Sequence, residues 1–369
     1  MKVGLIASPW LPVPPPRYGG TEVVVDVLAR GLQHAGDDVV LFTTGDSTCP
    51  VPRRWIYDRA VGTAAITVAA EARQVVHAYA ALSECDVIHD HTLFGPLYAA
   101  SVTDTPIVTT SHGPFTEELG DLYASMAGRV AVVAISHHQR SSAPQVDVAA
   151  VIHHGIDVDQ VAFGRGDGGY AVFLGRMSAD KGADRAIRAA RAAGVPLVLA
   201  AKMAEPEERE YFLEVVEPLL GDDAVYIGEV GGRAKLELLG NAVALINPIR
   251  WAEPFGLVMI EALASGTPVI AFPEGAAPEI VEHGVTGFLC ADEAEMASAL
   301  SKVGDLRRSD CRSAAALRFS AARMVADHRH LYRSLTTDQA PADVIDLAAP
   351  RARRTAGPDV LAATATART

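Results

Sequence analysis

Short, uninterrupted apolar runs recur along the first part of the chain: VGLIA at 3–7, VVLFT at 39–43, CDVIH at 85–89, PIVTT at 106–110, VAVVAI at 130–135 and VAAVI at 148–152. Helix-like stretches lie between them, among them Glu22 to Leu32, stopped near Gly36, and Ala64 to Leu82. Strand and helix alternating in this way predict a parallel sheet covered on both faces. A polar, glycine-rich stretch, GRGDGG at 164–169, reads as a linker. The alternation then restarts with YAVFLG (170–175), VPLVLA (195–200), AVYIG (224–228), VALIN (243–247) and PVIAF (268–272). From about Arg307 to Leu335 the pattern is helical again. Residues 338–369, rich in Ala, Pro, Thr and Arg without apolar periodicity, read as a disordered tail.

The pattern therefore predicts an α/β protein of two Rossmann-like domains facing one another across a cleft, and 369 residues are enough for two separate cores. A hydrophobic content of 49% against 21% charged residues describes a globular protein, not a disordered one. Four dispersed cysteines, Cys49, Cys85, Cys290 and Cys311, show no metal-ligand spacing and fit a reducing, cytoplasmic location. The first apolar run is too short for a signal-peptide core or a membrane span. A net charge of −13 argues against a nucleic-acid partner, and the first 155 residues hold nine Lys/Arg against fifteen Asp/Glu, so no basic half offsets it. Arg53-Arg54-Trp55 is the one local basic and aromatic cluster there, and membrane association through it stays open.

In open parallel sheets, ligands bind beyond the carboxyl ends of the strands, so the residues that follow strands carry the chemistry. The richest stretch is 250–289, RWAEPFGLVMIEALASGTPVIAFPEGAAPEIVEHGVTGFL, in which Glu253 and Glu261 stand eight positions apart. Pro254 suits the beginning of a helix, LVMIEALA has helical propensity, and Ser265-Gly266 before Thr267-Pro268 ends it. Glu253 is expected in the loop before that helix and Glu261 inside it. The first turn, around Phe255, Gly256, Leu257 and Val258, presents unpaired amides and the positive end of the macrodipole, a place for an anion. Glu261 would lie roughly 7 Å further along the axis. Elsewhere, Gly19-Gly20 follow the first strand and precede a helix. Ser111-His112-Gly113 follow PIVTT, and His89-Asp90-His91 admit either a metal-ligand or a structural, acceptor-facing reading. Arg176 and, five residues on, Lys181 both precede a helix start, where basic residues oppose the dipole unless an anion sits between them.

The segments EPFGLVMIEALASGTPVIAF and PEIVEHGVTGFL resemble the C-terminal domain of family 4 glycosyltransferases, the retaining group with the GT-B fold, and the resemblance extends over roughly 3–335. It implies an N-terminal acceptor-side domain (1–163), a linker (164–169), a C-terminal donor domain (170–318) and a helix (319–337) crossing back to the first domain. It also implies roles. Glu253 contacts the donor sugar, Glu261 holds the ribose hydroxyls, and the amides of Phe255, Gly256, Leu257 and Val258 hold donor groups. Arg176 and Lys181 clamp the diphosphate, Gly19 and Gly20 approach it, His112 faces the transferred sugar, and the base is read near Val230. The linker departs from the family's usual Asn-Gly at His153-His154-Gly155-Ile156-Asp157, which puts the hinge contacts in question.

The implied reaction moves a sugar from a nucleotide-diphosphate donor, UDP-linked in preference to GDP-linked, to an acceptor hydroxyl of a small soluble molecule, with no further cofactor and no metal. A GT-B nucleotide-sugar 2-epimerase or a non-catalytic nucleotide-sugar-binding protein are the alternatives.

Overall fold

The computed structural model describes residues 1–62 and 66–337, together with the backbone of Ile345–Asp346. The first sheet contains β1 (Lys2–Ile6), β2 (Asp38–Thr43), β3 (Arg53–Trp55), β4 (Val87–Asp90), β5 (Ile107–Thr110), β6 (Ala131–Ala134) and β7 (Val148–Val151). The second contains β8 (Ala171–Arg176), β9 (Leu197–Lys202), β10 (Ala224–Tyr226), β11 (Leu245–Asn247), β12 (Val269–Ala271) and β13 (Gly287–Leu289). A last strand, β14 (Ile345–Asp346), pairs beside β7, giving the orders β14-β7-β6-β5-β4-β1-β2-β3 and β10-β9-β8-β11-β12-β13. The described pairings within both sheets are parallel. Strands of this kind are buried on both faces, which is why their sequences are continuously apolar.

Three strands escaped the hydrophobic pattern. The basic cluster Arg53–Trp55 is an edge strand whose register sets Leu41 against Arg53, and Trp55 donates its indole N–H to Asp58. Strand β13 is only three residues long. Of the expected tail, Ile345–Asp346 form a strand instead of irregular chain, and the rest lies outside the described residues. The same holds for Ala64 and Ala65, because the second helix is described from Val68 to Ala81 with Thr67 capping it.

The expected linker is tied to the second sheet's domain. Gly164, Gly166 and Gly168 donate amides to the carbonyls of Ser265, Gly240 and Asn241, and Arg308 bonds the carbonyls of Gly164, Gly240 and Ala242. A Cβ on Gly164 would stand 2.1 Å from the Gly240 carbonyl oxygen, so glycine is what lets the two backbones touch. The helix Arg308–Arg318 packs Cys311 and Ala315 into the second core. After Ser320 caps a new helix, Ala321–Thr336 puts Met324, Val325, Leu331 and Tyr332 into the core of the first domain, beside the helix Gly20–His34.

Those two helices meet at Gly31, where a Cβ would lie 2.4 Å from Val325 Cγ2. Alanine at 31 improves helix propensity but overpacks this contact, and overpacking costs about 1–3 kcal/mol. Gly31→Ala is expected to lower the unfolding midpoint, and Val325→Ala in the same chain to restore part of it. A higher midpoint for Gly31→Ala alone would contradict the contact.

Candidate active site

The carboxyl edges of both sheets open onto one cavity of about 460 Å³, within the range of small-molecule sites. Two helices point their N-termini into it. One is Gly20–His34, with Gly19 at its N-cap; the other is Leu257–Ala264, with Gly256 at its N-cap, and neither cap supplies a side-chain hydrogen bond. Neither N-cap residue therefore supplies a side-chain cap to the first-turn amides beside the cavity, and both macrodipoles add positive potential there. The helix starts later than Pro254 suggests, because Gly256 adopts φ 99°, a left-handed conformation that suits glycine. Gly20 comes close to the facing helix: its Cβ would lie 3.4 Å from Leu257 Cδ1.

Close backbone contacts set Glu253. Gly275 (φ 56°) lies so near that a Cβ would stand 2.2 Å from the Glu253 carbonyl oxygen, and that oxygen accepts the amide of Ala276. Lys181 is brought up from the other side. Gly182 (φ 73°) lets the turn after β8 approach the Pro248 carbonyl, and the Arg250 amide donates to Asp180 at 2.6 Å. The result is an ion pair between the Lys181 ammonium and the Glu253 carboxylate, both side chains largely buried, with the ammonium 5.1 Å from the Trp251 ring. Eight residues on, Glu261 is buried on its helix and receives a hydrogen bond from Lys235 Nζ at 2.5 Å.

Eleven of the twelve expected site residues line the cavity: Gly19, Gly20, His112, Lys181, Val230, Glu253, Phe255, Gly256, Leu257, Val258 and Glu261. Arg176 does not. Its guanidinium lies 3.3 Å from Asp180 and 3.5 Å from Glu208, so it is held by carboxylates instead of joining Lys181. The side chain of Phe255 is core as much as site, buried against His153, His154 and Phe319.

Several cavity residues carried no clear signal in the sequence. Lys235 sits on the helix Gly232–Asn241, where a lysine reads as a solvated residue. Glu22 folds back toward Gly19, and burial raises its carboxyl against the opposing hydrogen bond to its own amide. Glu229 accepts the Tyr18 amide at 3.0 Å, and Lys202 lies 5.3 Å from the Tyr18 ring, so the loop before Gly19 reaches across to the second domain.

His89, Asp90 and His91 do not form a ligand set. His89 bonds the Tyr332 hydroxyl (2.7 Å) and Thr110 (2.8 Å), while Asp90 accepts from Tyr79 and Thr92. His91 Nδ1 bonds His112 Nε2 at 2.9 Å. Burial drives the His112 pKa down to about 3, with the nearby His328 acting in the same direction, so its ring is neutral at physiological pH.

One group among the described residues, His137, His153 and Glu279, has donor atoms close enough to suggest a metal. Its bonds are those of a latch between domains. Glu279 accepts from His153 Nε2 (2.8 Å) and from the amides of His137 (2.9 Å) and His138 (2.7 Å), at the start of a helix. Arg318 and Arg323 lie alongside on the carbonyls of Glu279 and of His153 and His154. The double histidine of the linker thus makes the hinge contacts itself: His153 to Glu279, and His154 stacked on His112 at 5.2 Å.

With this geometry in hand, the relationship to known proteins is direct. Residues 18–160 match Glycosyltransferase Family 4, and residues 159–316 match Glycosyl transferases group 1. The chain belongs to the family 4 glycosyltransferases and has their GT-B fold. It is 28% identical over 346 residues to α-maltose-1-phosphate synthase of Mycobacterium tuberculosis, covering 81% of this chain and 86% of that one. It is likewise 28% identical to AviGT4, a glycosyltransferase involved in avilamycin A biosynthesis, with a TM-score of 0.67 over 91% of this chain and 98% of that one. The structure of Anabaena HepE in complex with UDP and glucose superposes with a TM-score of 0.71 at 20% identity, covering 91% and 100%. Among the described residues no helix is long and apolar enough to cross a membrane.

Burial alone would raise the Glu279 carboxyl, but the bonds from His153 and the two amides outweigh it and hold it below the usual carboxylate range. Its contribution to stability is therefore complete above its unfolded pKa of about 4.3 and fades as pH falls through the folded value. Glu279→Gln is expected to lose about 1–3 kcal/mol at pH 7 and to show a shallower loss of stability on acidification. Equal stability and equal acid sensitivity in denaturant titrations would remove the latch.

Proposed function

We propose that the protein transfers a sugar, with retention of configuration, from a nucleotide-diphosphate donor to the hydroxyl of a small soluble acceptor. The observation that carries this reading is the pair of helix N-termini with glycine at the N-cap, facing one cavity beside Lys181. Such an arrangement suits a diphosphate, whose charge the two sets of amides and the ammonium would share. Arg176, once it releases Asp180 and Glu208, adds a planar second cation. Glu261 and Lys235 stand where the ribose hydroxyls would bind, and Val230 with Glu229 where the base would. Glu253 accepts hydrogen bonds from the donor sugar after parting from Lys181.

The difficult event is departure of the diphosphate while the sugar becomes cation-like. The bond between the anomeric carbon and the phosphate oxygen breaks, and the acceptor oxygen bonds that carbon from the same face. The departing phosphate oxygen takes the acceptor's proton. No protein nucleophile is required, and no cofactor takes part in these steps. Preorganised donors of this sort contribute about 10²–10³ in rate each. A uridine donor is favoured by the likeness to HepE with UDP and glucose bound. A soluble acceptor fits the relative named as a maltose-1-phosphate synthase.

Thermal unfolding with UDP, GDP, ADP and dTDP in turn tests the donor class. A ligand at a hundred times its dissociation constant adds about 2.7 kcal/mol, and UDP is expected to raise the midpoint by a few degrees in the wild type but not in Lys181→Ala. No shift with any nucleotide would overturn the donor reading. Lys181→Ala and Arg176→Ala are each expected to lower turnover by about 10²-fold or more while remaining folded. Near-normal rates in both would remove the phosphate clamp, and conversion of donor without acceptor would point to an epimerase.

A further inference from the structure

His112 and His91 share a single hydrogen bond, Nε2 to Nδ1 at 2.9 Å, and one of the two neutral rings must donate in it. The other ring nitrogen of His91, Nε2, is shut away from solvent and has no hydrogen-bond partner among the described residues. If the His91 proton sat on Nε2, a buried N–H would be left unpaired, and orphaned buried donors are rarer than orphaned acceptors. With the proton on Nδ1 it is used in the bond to His112, and only a lone pair goes without a partner.

The neighbours leave His91 little freedom to choose otherwise. Its ring lies 4.1 Å from that of His89, which is fixed at both nitrogens by Tyr332 and Thr110. On the far side His112 stacks on His154, 5.2 Å away and 19° from parallel, and His154 meets Phe255 edge-on. Because His112 turns Nε2 toward His91, the ring nitrogen left for a ligand in the cavity is Nδ1.

We propose that His91 is a positioning residue, which donates from Nδ1 to His112 Nε2 and so holds His112 in the Nδ1–H tautomer, offering a hydrogen-bond donor to an oxygen of the sugar in the cavity. His112 then orients an acceptor oxygen of the ligand and does not serve as a base, which leaves the acceptor's proton to the phosphate oxygen. The role rests on the reading of His112 as a sugar contact, but the tautomer exists without any substrate.

Long-range ¹⁵N–¹H correlation of histidine-labelled, ligand-free protein, with His112 assigned by substitution, reads the tautomer directly. The expected result is Nδ1–H in the wild type and loss of that preference in His91→Leu. His91→Asn, whose amide nitrogen can stand where Nδ1 stood, restores it. Turnover should follow the tautomer, falling about tenfold in His91→Leu and recovering in His91→Asn. A wild-type His112 protonated at Nε2, or a tautomer unchanged in His91→Leu, overturns the proposal. Should His91→Leu fail to fold, the wild-type and His91→Asn spectra decide alone. A protein that transferred no sugar would still give the tautomer result, so the two readings fail separately.

Discussion

Two helix N-termini of like electrostatic sign open onto one cavity, and most of the site follows from how the chain keeps them there. Parallel sheets force the arrangement, because each strand's carboxyl end feeds a helix start at the same edge. Glycine at both N-caps lets a ligand approach the amides and supplies no side-chain cap of its own. The carboxylates of Glu22 and Glu253 and the ammonium of Lys181 lie around this positive pocket. Lys181 and Glu253 neutralise one another, so the proposed donor would have to part them, its phosphates competing for the lysine and its sugar for the glutamate.

Relative placement of the two domains depends on a separate set of contacts. Glu279 reaches from the second domain to a helix start and to His153 in the first, and Arg323 on the crossing helix bonds the carbonyls of His153 and His154. The same crossing helix carries Tyr332, which fixes His89, beneath His91 and His112. A continuous line of buried rings therefore joins the helix that closes the first domain to the residue facing the cavity.

Much of this was legible in the sequence. Continuous apolar runs marked eleven strands, because parallel strands are buried on both faces, and strand ends marked where the site residues would gather. Glu253, Glu261, Gly256 and Lys181 were recoverable because helix starts have characteristic residues around them. The edge strand Arg53–Trp55 was not, since three polar or amphipathic residues carry no periodicity. Lys235 looked like any surface lysine, because its partner Glu261 is twenty-six positions away and only the fold joins them. Arg176 was expected beside Lys181 from its place before a helix start and from the resemblance, but neither says anything about Asp180 and Glu208, which hold it elsewhere. The linker's double histidine, a departure in sequence, is explained only by three-dimensional contacts.

The most direct measurement of the central claim is the affinity for UDP, by titration calorimetry, of the wild type and of Glu253→Gln. On the proposed reading UDP carries the phosphates but lacks the sugar to be transferred, so it needs Lys181 and gains nothing from Glu253. Removing the carboxylate frees the lysine, and UDP should bind about three- to tenfold more tightly, a gain of about 0.6–1.4 kcal/mol. Equal or weaker binding by Glu253→Gln would contradict the account, because it would mean that Lys181 and Glu253 do not stand in the path of the diphosphate.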